Sequence, residues 1–275
     1  MQTFEVDLYE YFGIKKEQNA SGVLTAFIAE RNDFNLNRLR PAMLIIPGGG
    51  YRFVSNAEGD TIAFEYLSKG YSAFVLNYSI KPFHYPTQFL EASMAMIYIR
   101  ENADKFNIKA DMVGAIGFSA GGHLCASLGI LYKEKEIIEV FGERANLARP
   151  DAMVLAYPVV SMDESIAHKG SRDNVTGGEA ELVERLSLEK RVDKDSAPAF
   201  IWATVGDCTV PCENSMLLAM AYRKAGVPFE FHLFERGRHG LALANRETEK
   251  EVYPAKEWVK MSHTWLKEKG FDLVD

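Results

Sequence analysis

The sequence predicts a mostly parallel, doubly wound α/β sheet flanked by helices, and three observations lead there. Short apolar, β-branched runs bounded by turn residues recur along the chain. Most of these runs lack strict apolar–polar alternation, as strands covered on both faces do. Stretches of helical length separate them, and strand–helix alternation over a whole chain is the signature of an α/β sheet. At 275 residues, 47% hydrophobic and 25% charged, the chain has enough apolar material for one such sheet and little room for two independent domains. The expectation is therefore a single domain over 1–275.

Taken in order, the first strand run is 23–29, and the strands before residue 41 are expected to form an antiparallel edge. Runs at 41–47, 71–77, 112–118, 152–157, 199–205 and 228–234 supply the parallel part. Between them, 87–103 and 119–132 have helical length. Segment 212–225 places Met216, Leu217, Met220 and Ala221 at helical spacing. Segment 254–269 places Ala255, Trp258, Val259, Ser262, Trp265 and Leu266 along one stripe. Residues 161–198 break this rhythm. They are polar, carry Gly170, Gly177 and Gly178, and hold one short helical candidate at 179–187. Such an insertion is either a cap or lid over a site or a loose surface excursion, and sequence does not choose between them.

Composition narrows the function classes. Lys plus Arg number 31 against 38 Asp plus Glu, a net charge of −7 with no basic run, which argues against nucleic acid and anionic membrane surfaces as partners. No continuous apolar stretch reaches the ~18 residues of a membrane span. The N-terminal residues lack a charged region followed by an apolar one, so no signal peptide is expected. Three cysteines, Cys125, Cys208 and Cys212, form no disulfide framework and no complete metal site, and read as solitary thiols of a cytoplasmic protein. A homo-oligomer is compatible with all of this.

The chemistry is carried by four short segments. Gly117-Phe118-Ser119-Ala120-Gly121-Gly122 lies between a strand run and a helix run, a G-x-S-x-G at a strand-to-helix junction. A serine on such a tight, strained turn projects above the sheet, and side chains at Gly117 or Gly121 would collide with a neighbouring strand or helix. The hydroxyl needs a base. Of six histidines, His84 and His168 lie in candidate loops before the favoured acid, His123 follows the serine on its helix, His232 is in a strand run and His263 in the last helix. His239 alone lies in a turn-like stretch beyond the last strand, from which it can reach Ser119. Asp207 follows run 199–205 at the sheet's C-terminal edge and is the candidate acid that orients the imidazole. Its alternative role is a turn aspartate capping the helix near 212, and Asp163 is the second choice for the acid. The order Ser119, Asp207, His239 is the one this architecture requires. After run 41–47 come Gly48-Gly49-Gly50-Tyr51, whose amides can approach a ligand. Gly49, Gly50 and Ala120 are the candidate oxyanion donors. This loop has neither the spacing nor the Lys of a phosphate-binding loop.

The motifs PGGGY at 47–51, GFSAGGHL at 117–124, GDCTVPCENS at 206–215 and ERGRHGLALA at 235–244, with HKGSRDNVTGG at 168–178, resemble the α/β-hydrolase superfamily. More closely they are similar to small esterases that include BD-FAE-type carboxylesterases and intracellular acetyl-xylan esterases. The resemblance implies a serine esterase acting on short acyl, above all acetyl, esters of small molecules such as acetylated xylo-oligosaccharides, with no metal or organic cofactor needed. It also implies a structural role for His123. One departure is Gly206, where many members carry a second Asp before the catalytic one. Two rival readings share the motifs: an arylformamidase-type amidase or peptidase, and a non-catalytic hydrolase-fold binding protein.

Overall fold

β5 (Ile108–Phe118) is the spine of the molecule, paired in parallel with β3 (Arg40–Ile46) on one side and β6 (Met153–Ala156) on the other. The computed structural model describes residues 1–30, 38–248 and 250–274. Its eight strands form one sheet in the order β1-β2-β4-β3-β5-β6-β7-β8. β4 (Ser72–Asn77), β7 (Ala199–Thr204) and β8 (Phe229–Phe234) complete the parallel part. β2 (Val23–Ile28) pairs antiparallel with β4 and with β1 (Gln2–Asp7), so the early residues do form the expected antiparallel edge. β1 escaped the strand pattern because its burial is only partial, as suits the outermost strand.

Along each central strand, successive side chains enter opposite cores. Leu44 and Ile46 pack into one apolar cluster and Met43 and Ile45 into the other, and Ala199 and Ile201 alternate likewise with Phe200 and Trp202. Both faces are therefore covered, which explains the continuous apolar runs. The first cluster is closed by α1 (Leu8–Phe12), α3 (Thr87–Glu101), α4 (Ala103–Phe106), α5 (Ser119–Ile130), α6 (Lys135–Phe141), α8 (Ala180–Arg185) and α9 (Glu213–Ala225). The second is closed by α2 (Asp60–Ser68) and α10 (Trp258–Glu268), whose stripe from Trp258 to Leu266 is buried as the spacing predicts. α7 (Lys169–Thr176) lies within 161–198 and adds a second helix to that segment.

α9 faces the opposite way from its apolar spacing. Met216 and Met220 are exposed, while Asn214, Ser215, Leu218, Ala219 and Tyr222 are buried. The polar residues can face inward because their bonds are satisfied there. The Asn214 carboxamide accepts from the amides of Val160 and Ser161 and donates to the carbonyls of Ile166 and Pro211, and the Tyr222 hydroxyl donates to the Ala197 carbonyl.

The tightest packing occurs where β5 hands over to α5. A Cβ on Gly117 would stand 2.2 Å from the Gly121 carbonyl oxygen, and one on Gly121 would stand 2.2 Å from that of Ile46 and 2.3 Å from that of Pro47. These obstacles are backbone atoms of β3 and α5, which cannot rotate aside. Gly121→Ala is expected to cost about 3 kcal/mol or more by overpacking. A thermal melt should show its midpoint lowered by roughly 6–10 °C; an unchanged midpoint would mean that the crossing is looser than described.

Candidate active site

The C-terminal ends of β3, β5, β7 and β8 bring the predicted site residues together above the sheet. β5 ends in an extended Phe118, and the next residue, Ser119, turns to φ 54°. A left-handed serine is strained, and Gly117 and Gly121 make the tight packing around it feasible. Asp207 follows β7, and His239 sits on the loop after β8.

His239 Nε2 lies 2.7 Å from Ser119 Oγ, and its Nδ1 lies 2.6 Å from Asp207 Oδ2. The Asp207 carboxylate can only accept, so the imidazole proton belongs on Nδ1. Nε2 is then left to accept the serine hydroxyl proton. The other Asp207 oxygen accepts the Thr209 and Val210 amides at 2.9 and 3.0 Å. One carboxylate thus closes its own turn and holds the His239 ring, but it does not cap the helix near 212, whose N-cap residue Cys212 makes no side-chain capping bond. Asp163, the second choice, instead binds the amide and hydroxyl of its neighbour Ser165.

The histidine loop is fastened at several points. Thr204 Oγ1 donates to the Gly237 carbonyl, the Ala242 amide donates to the Tyr157 hydroxyl, and Trp258 Nε1 donates to the Ala242 carbonyl. The Tyr157 ring meets His239 edge-on at 5.1 Å. A Cβ at Gly206 would approach the Gly237 carbonyl to 2.8 Å, so glycine at this position lets the acid-bearing and base-bearing loops touch.

Gly49 has φ 124°, and a Cβ there would fall 2.0 Å from the Phe53 carbonyl oxygen, so no side chain fits. The Gly48 amide donates to Glu58 Oε2, and the Gly50 carbonyl accepts from Asn174 Nδ2 of α7. Among the described residues, the Gly49 and Gly50 amides have no acceptor. They line a cavity of about 350 Å³ together with Ser119 and His239. Ala120 lies in the first turn of α5, where helical amides lack intrahelical partners. Chemically, the arrangement could supply a nucleophile, a base and donors for developing negative charge.

His123 is buried in α5. Its Nε2–H donates to the Leu186 carbonyl at 2.9 Å, which leaves Nδ1 to accept the Tyr51 hydroxyl, also at 2.9 Å. Burial pulls its pKa down to about 4. It therefore ties α5 to the glycine loop and to segment 161–198, the structural position its motif implied. Cys125 is buried and Cys208 exposed, and all three cysteines are free thiols. Among the described residues no cluster of His, Cys, Asp or Glu has the makings of a metal site, and no helix is long and apolar enough to cross a membrane.

Several site residues were not legible in the sequence. Glu58 and His168 line the cavity, and Tyr157 lies beneath it. His168 caps α7 by accepting the Ser171 amide on Nδ1, and burial, with His239 and Arg52 nearby, lowers its pKa. Glu58 lies three residues after Ser55, a spacing that reads as an ordinary helix-capping pair. Instead, its side chain turns inward.

The BD-FAE family profile matches residues 33–222. The chain is 40% identical over 217 residues to an endo-1,4-beta-xylanase B of Butyrivibrio fibrisolvens, covering 76% of this chain and 33% of that protein. It is 28% identical over 248 residues to an acetylxylan esterase of Xylanibacter ruminicola, covering 88% of this chain and 48% of that protein. The chain thus spans a third to a half of the length of these relatives. Among solved structures, it resembles an acetyl ester-xyloside bifunctional hydrolase from Caldicellulosiruptor lactoaceticus, with a TM-score of 0.80 and 36% identity over 91% of this chain and 89% of that one. A carboxylesterase from Lactobacillus plantarum superposes with a TM-score of 0.83 at 27% identity over the whole of both chains. These neighbours share the α/β-hydrolase fold.

His123 gives the site a pH-dependent weakness. The folded protein keeps this ring neutral down to about pH 4, whereas an unfolded chain protonates it near the ordinary value of 6.5. Its contribution is complete above 6.5 and is lost as pH falls toward 4, on the order of 3 kcal/mol. Thermal melts of wild type and His123→Gln between pH 7.5 and 4.5 test this. The gap between the two midpoints should narrow as pH falls; a constant gap would count against the buried neutral ring.

Proposed function

The chain belongs to the BD-FAE family, and on that footing we propose that it is a serine carboxylesterase that hydrolyses short-chain acyl, above all acetyl, esters. The observation that carries this reading is the pair of hydrogen bonds linking Ser119 to His239 and His239 to Asp207. Ser119 Oγ attacks the ester carbonyl as His239 Nε2 takes its proton, and Asp207 stabilises the resulting imidazolium. The carbonyl oxygen becomes an oxyanion that accepts from the Gly49, Gly50 and Ala120 amides. His239 then returns the proton to the departing alcohol oxygen, leaving an acyl-serine. Water repeats the sequence, giving up its proton to His239 as it attacks, and the collapse of the second tetrahedral intermediate frees the acid and restores the serine.

The substrate assignment draws on the cavity and the relatives. About 350 Å³ suits a small acyl ester. Arg52, His168, Asn174 and Thr209 on its walls can hydrogen-bond a hydroxylated alcohol. With His168 Nδ1 occupied as an acceptor, its Nε2 carries the proton and is a donor. An acetylxylan esterase and an acetyl ester-xyloside hydrolase among the similar proteins favour acetylated xylo-oligosaccharides. Segment 161–198 serves as the cap: His168, Gly170 and Asn174 form one wall of the site, and Asn174 grips the glycine loop.

Ser119→Ala should lower kcat by about 10⁴-fold or more without unfolding the protein. Asp207→Asn should lower it by about 10⁴-fold, because the imidazole loses its proper tautomer. Hydrolysis of p-nitrophenyl acetate by folded variants measures both, and undiminished turnover by Ser119→Ala would remove Ser119 as the nucleophile. For the substrate, acetate release from acetylated xylo-oligosaccharides is expected to exceed that from aryl acetates in kcat/KM. Equal rates would mark a generalist esterase, and cleavage of aminoacyl anilides without ester turnover would overturn the esterase assignment.

A further inference from the structure

Glu58 is a buried carboxylate in the wall of the candidate active site, 4% exposed, with no part in the acyl-transfer steps above. Its two oxygens face different parts of the site. Oε2 accepts the Gly48 amide at 2.8 Å, and Oε1 accepts the Tyr157 hydroxyl at 2.7 Å. The Tyr157 oxygen in turn accepts the Ala242 amide at 2.8 Å, on the loop that carries His239. A Cβ at Gly48 would touch both Glu58 Oε2 and Ser119 Cβ, at 2.8 and 3.0 Å, so the carboxylate and the serine flank the same glycine.

We propose that Glu58 is a positioning residue for ester hydrolysis: it anchors the glycine loop through Gly48 and the His239 loop through Tyr157, and its negative charge favours the imidazolium that His239 becomes.

The inference rests on the serine esterase reading. Its physical basis is donor counting. Glu58 receives a backbone N–H and a phenol O–H, and the Ser55 side chain is a further partner. The Tyr157 hydroxyl donates to Glu58 while its oxygen accepts the Ala242 amide. Neither of the two short bonds has room for a carboxyl proton, so they favour the ionised form. Burial works against that form and raises the Glu58 pKa, while Tyr157, Gly48 and His239 oppose the rise. Burial, with Glu58 adding to it, pushes the Tyr157 hydroxyl well above its ordinary range, which keeps it a donor. A loop anchor alone would not require a charge here.

The groups that face His239 are Asp207 from the loop after β7, Ser119 from α5, Tyr157 from the end of β6, His168 from the cap, and Glu58. Those that face Glu58 are Tyr157, Tyr78, Ser55 and His239. Ionised, Glu58 is a second negative group acting on the imidazole, after Asp207.

The pH dependence of kcat and KM for p-nitrophenyl acetate, measured between pH 5 and 9 on wild type, Glu58→Gln and Glu58→Asp, tests the proposal. Glu58→Gln is expected to lower kcat by about 10–100-fold with KM within about twofold, since the oxyanion donors act in the transition state. The acid limb of its kcat/KM profile should move down by about one pH unit, because loss of a nearby negative charge makes the protonated base costlier. Glu58→Asp should lose kcat yet keep the limb near its wild-type position, since the charge remains. A Glu58→Gln limb that stays or moves up, or an unchanged kcat, overturns the proposal. Should Glu58→Gln fail to fold, Glu58→Asp decides: a limb that moves down with a carboxylate still present overturns it. Failure of the wild type to turn over any ester sinks the esterase reading and this proposal together, whereas wild-type turnover with an unmoved variant limb sinks this proposal alone.

Discussion

The left-handed backbone at Ser119 is the constraint on which the rest of the structure depends. A non-glycine residue at φ 54° costs about 1–3 kcal/mol and persists only where its surroundings over-determine it. Here the surroundings are a central strand buried from Met112 to Phe118 on one side and a buried helix on the other. The sharpness of the turn brings α5 against the end of β3, closely enough that Gly121 rests on two backbone carbonyls.

Beneath this turn lies a polar layer that ties separate loops into one site. Glu58 joins the glycine loop to Tyr157, Tyr157 joins the end of β6 to the histidine loop, and Trp258 holds that loop from the second core. His123 performs the corresponding task on the other side, linking α5 to Tyr51 and to segment 161–198. Each of these groups is buried and each has its hydrogen bonds met, so the layer can rigidify the loops without leaving unpaired polar atoms. Catalysis by preorganised dipoles requires such rigidity, because donors that had to move into place would give back what they contribute.

Segment 161–198 shows how a polar insertion can be ordered without a large core of its own. Its helices α7 and α8 are short, and they dock through specific bonds: Asn174 to the Gly50 carbonyl, the Asn174 carbonyl to His84, and the Leu186 carbonyl to His123. Arg185 forms ion pairs with Glu134 and Glu136 next to α6. Polar docking of this kind leaves the cavity wall studded with hydrogen-bonding groups, as recognition of a hydroxylated ligand would need.

The sequence by itself determined the parallel strands of the sheet, because strands buried on both faces must be apolar throughout and the intervening helices keep their own period. It also singled out Ser119, Asp207 and His239 as candidates, since each lies beyond the C-terminal end of a strand run, and the ends of parallel strands meet at one edge. Only the tertiary structure decided the inward face of α9, where satisfied polar residues displaced the methionines that periodicity favours. It alone brought Glu58, Tyr157 and His168 to the site, from three segments far apart in the chain. A buried carboxylate three residues after a serine has the same local pattern as a helix cap, and a tyrosine at the end of a strand reads as core. What separates those roles is which donors lie opposite, and donors contributed by distant loops leave no periodic trace in the chain.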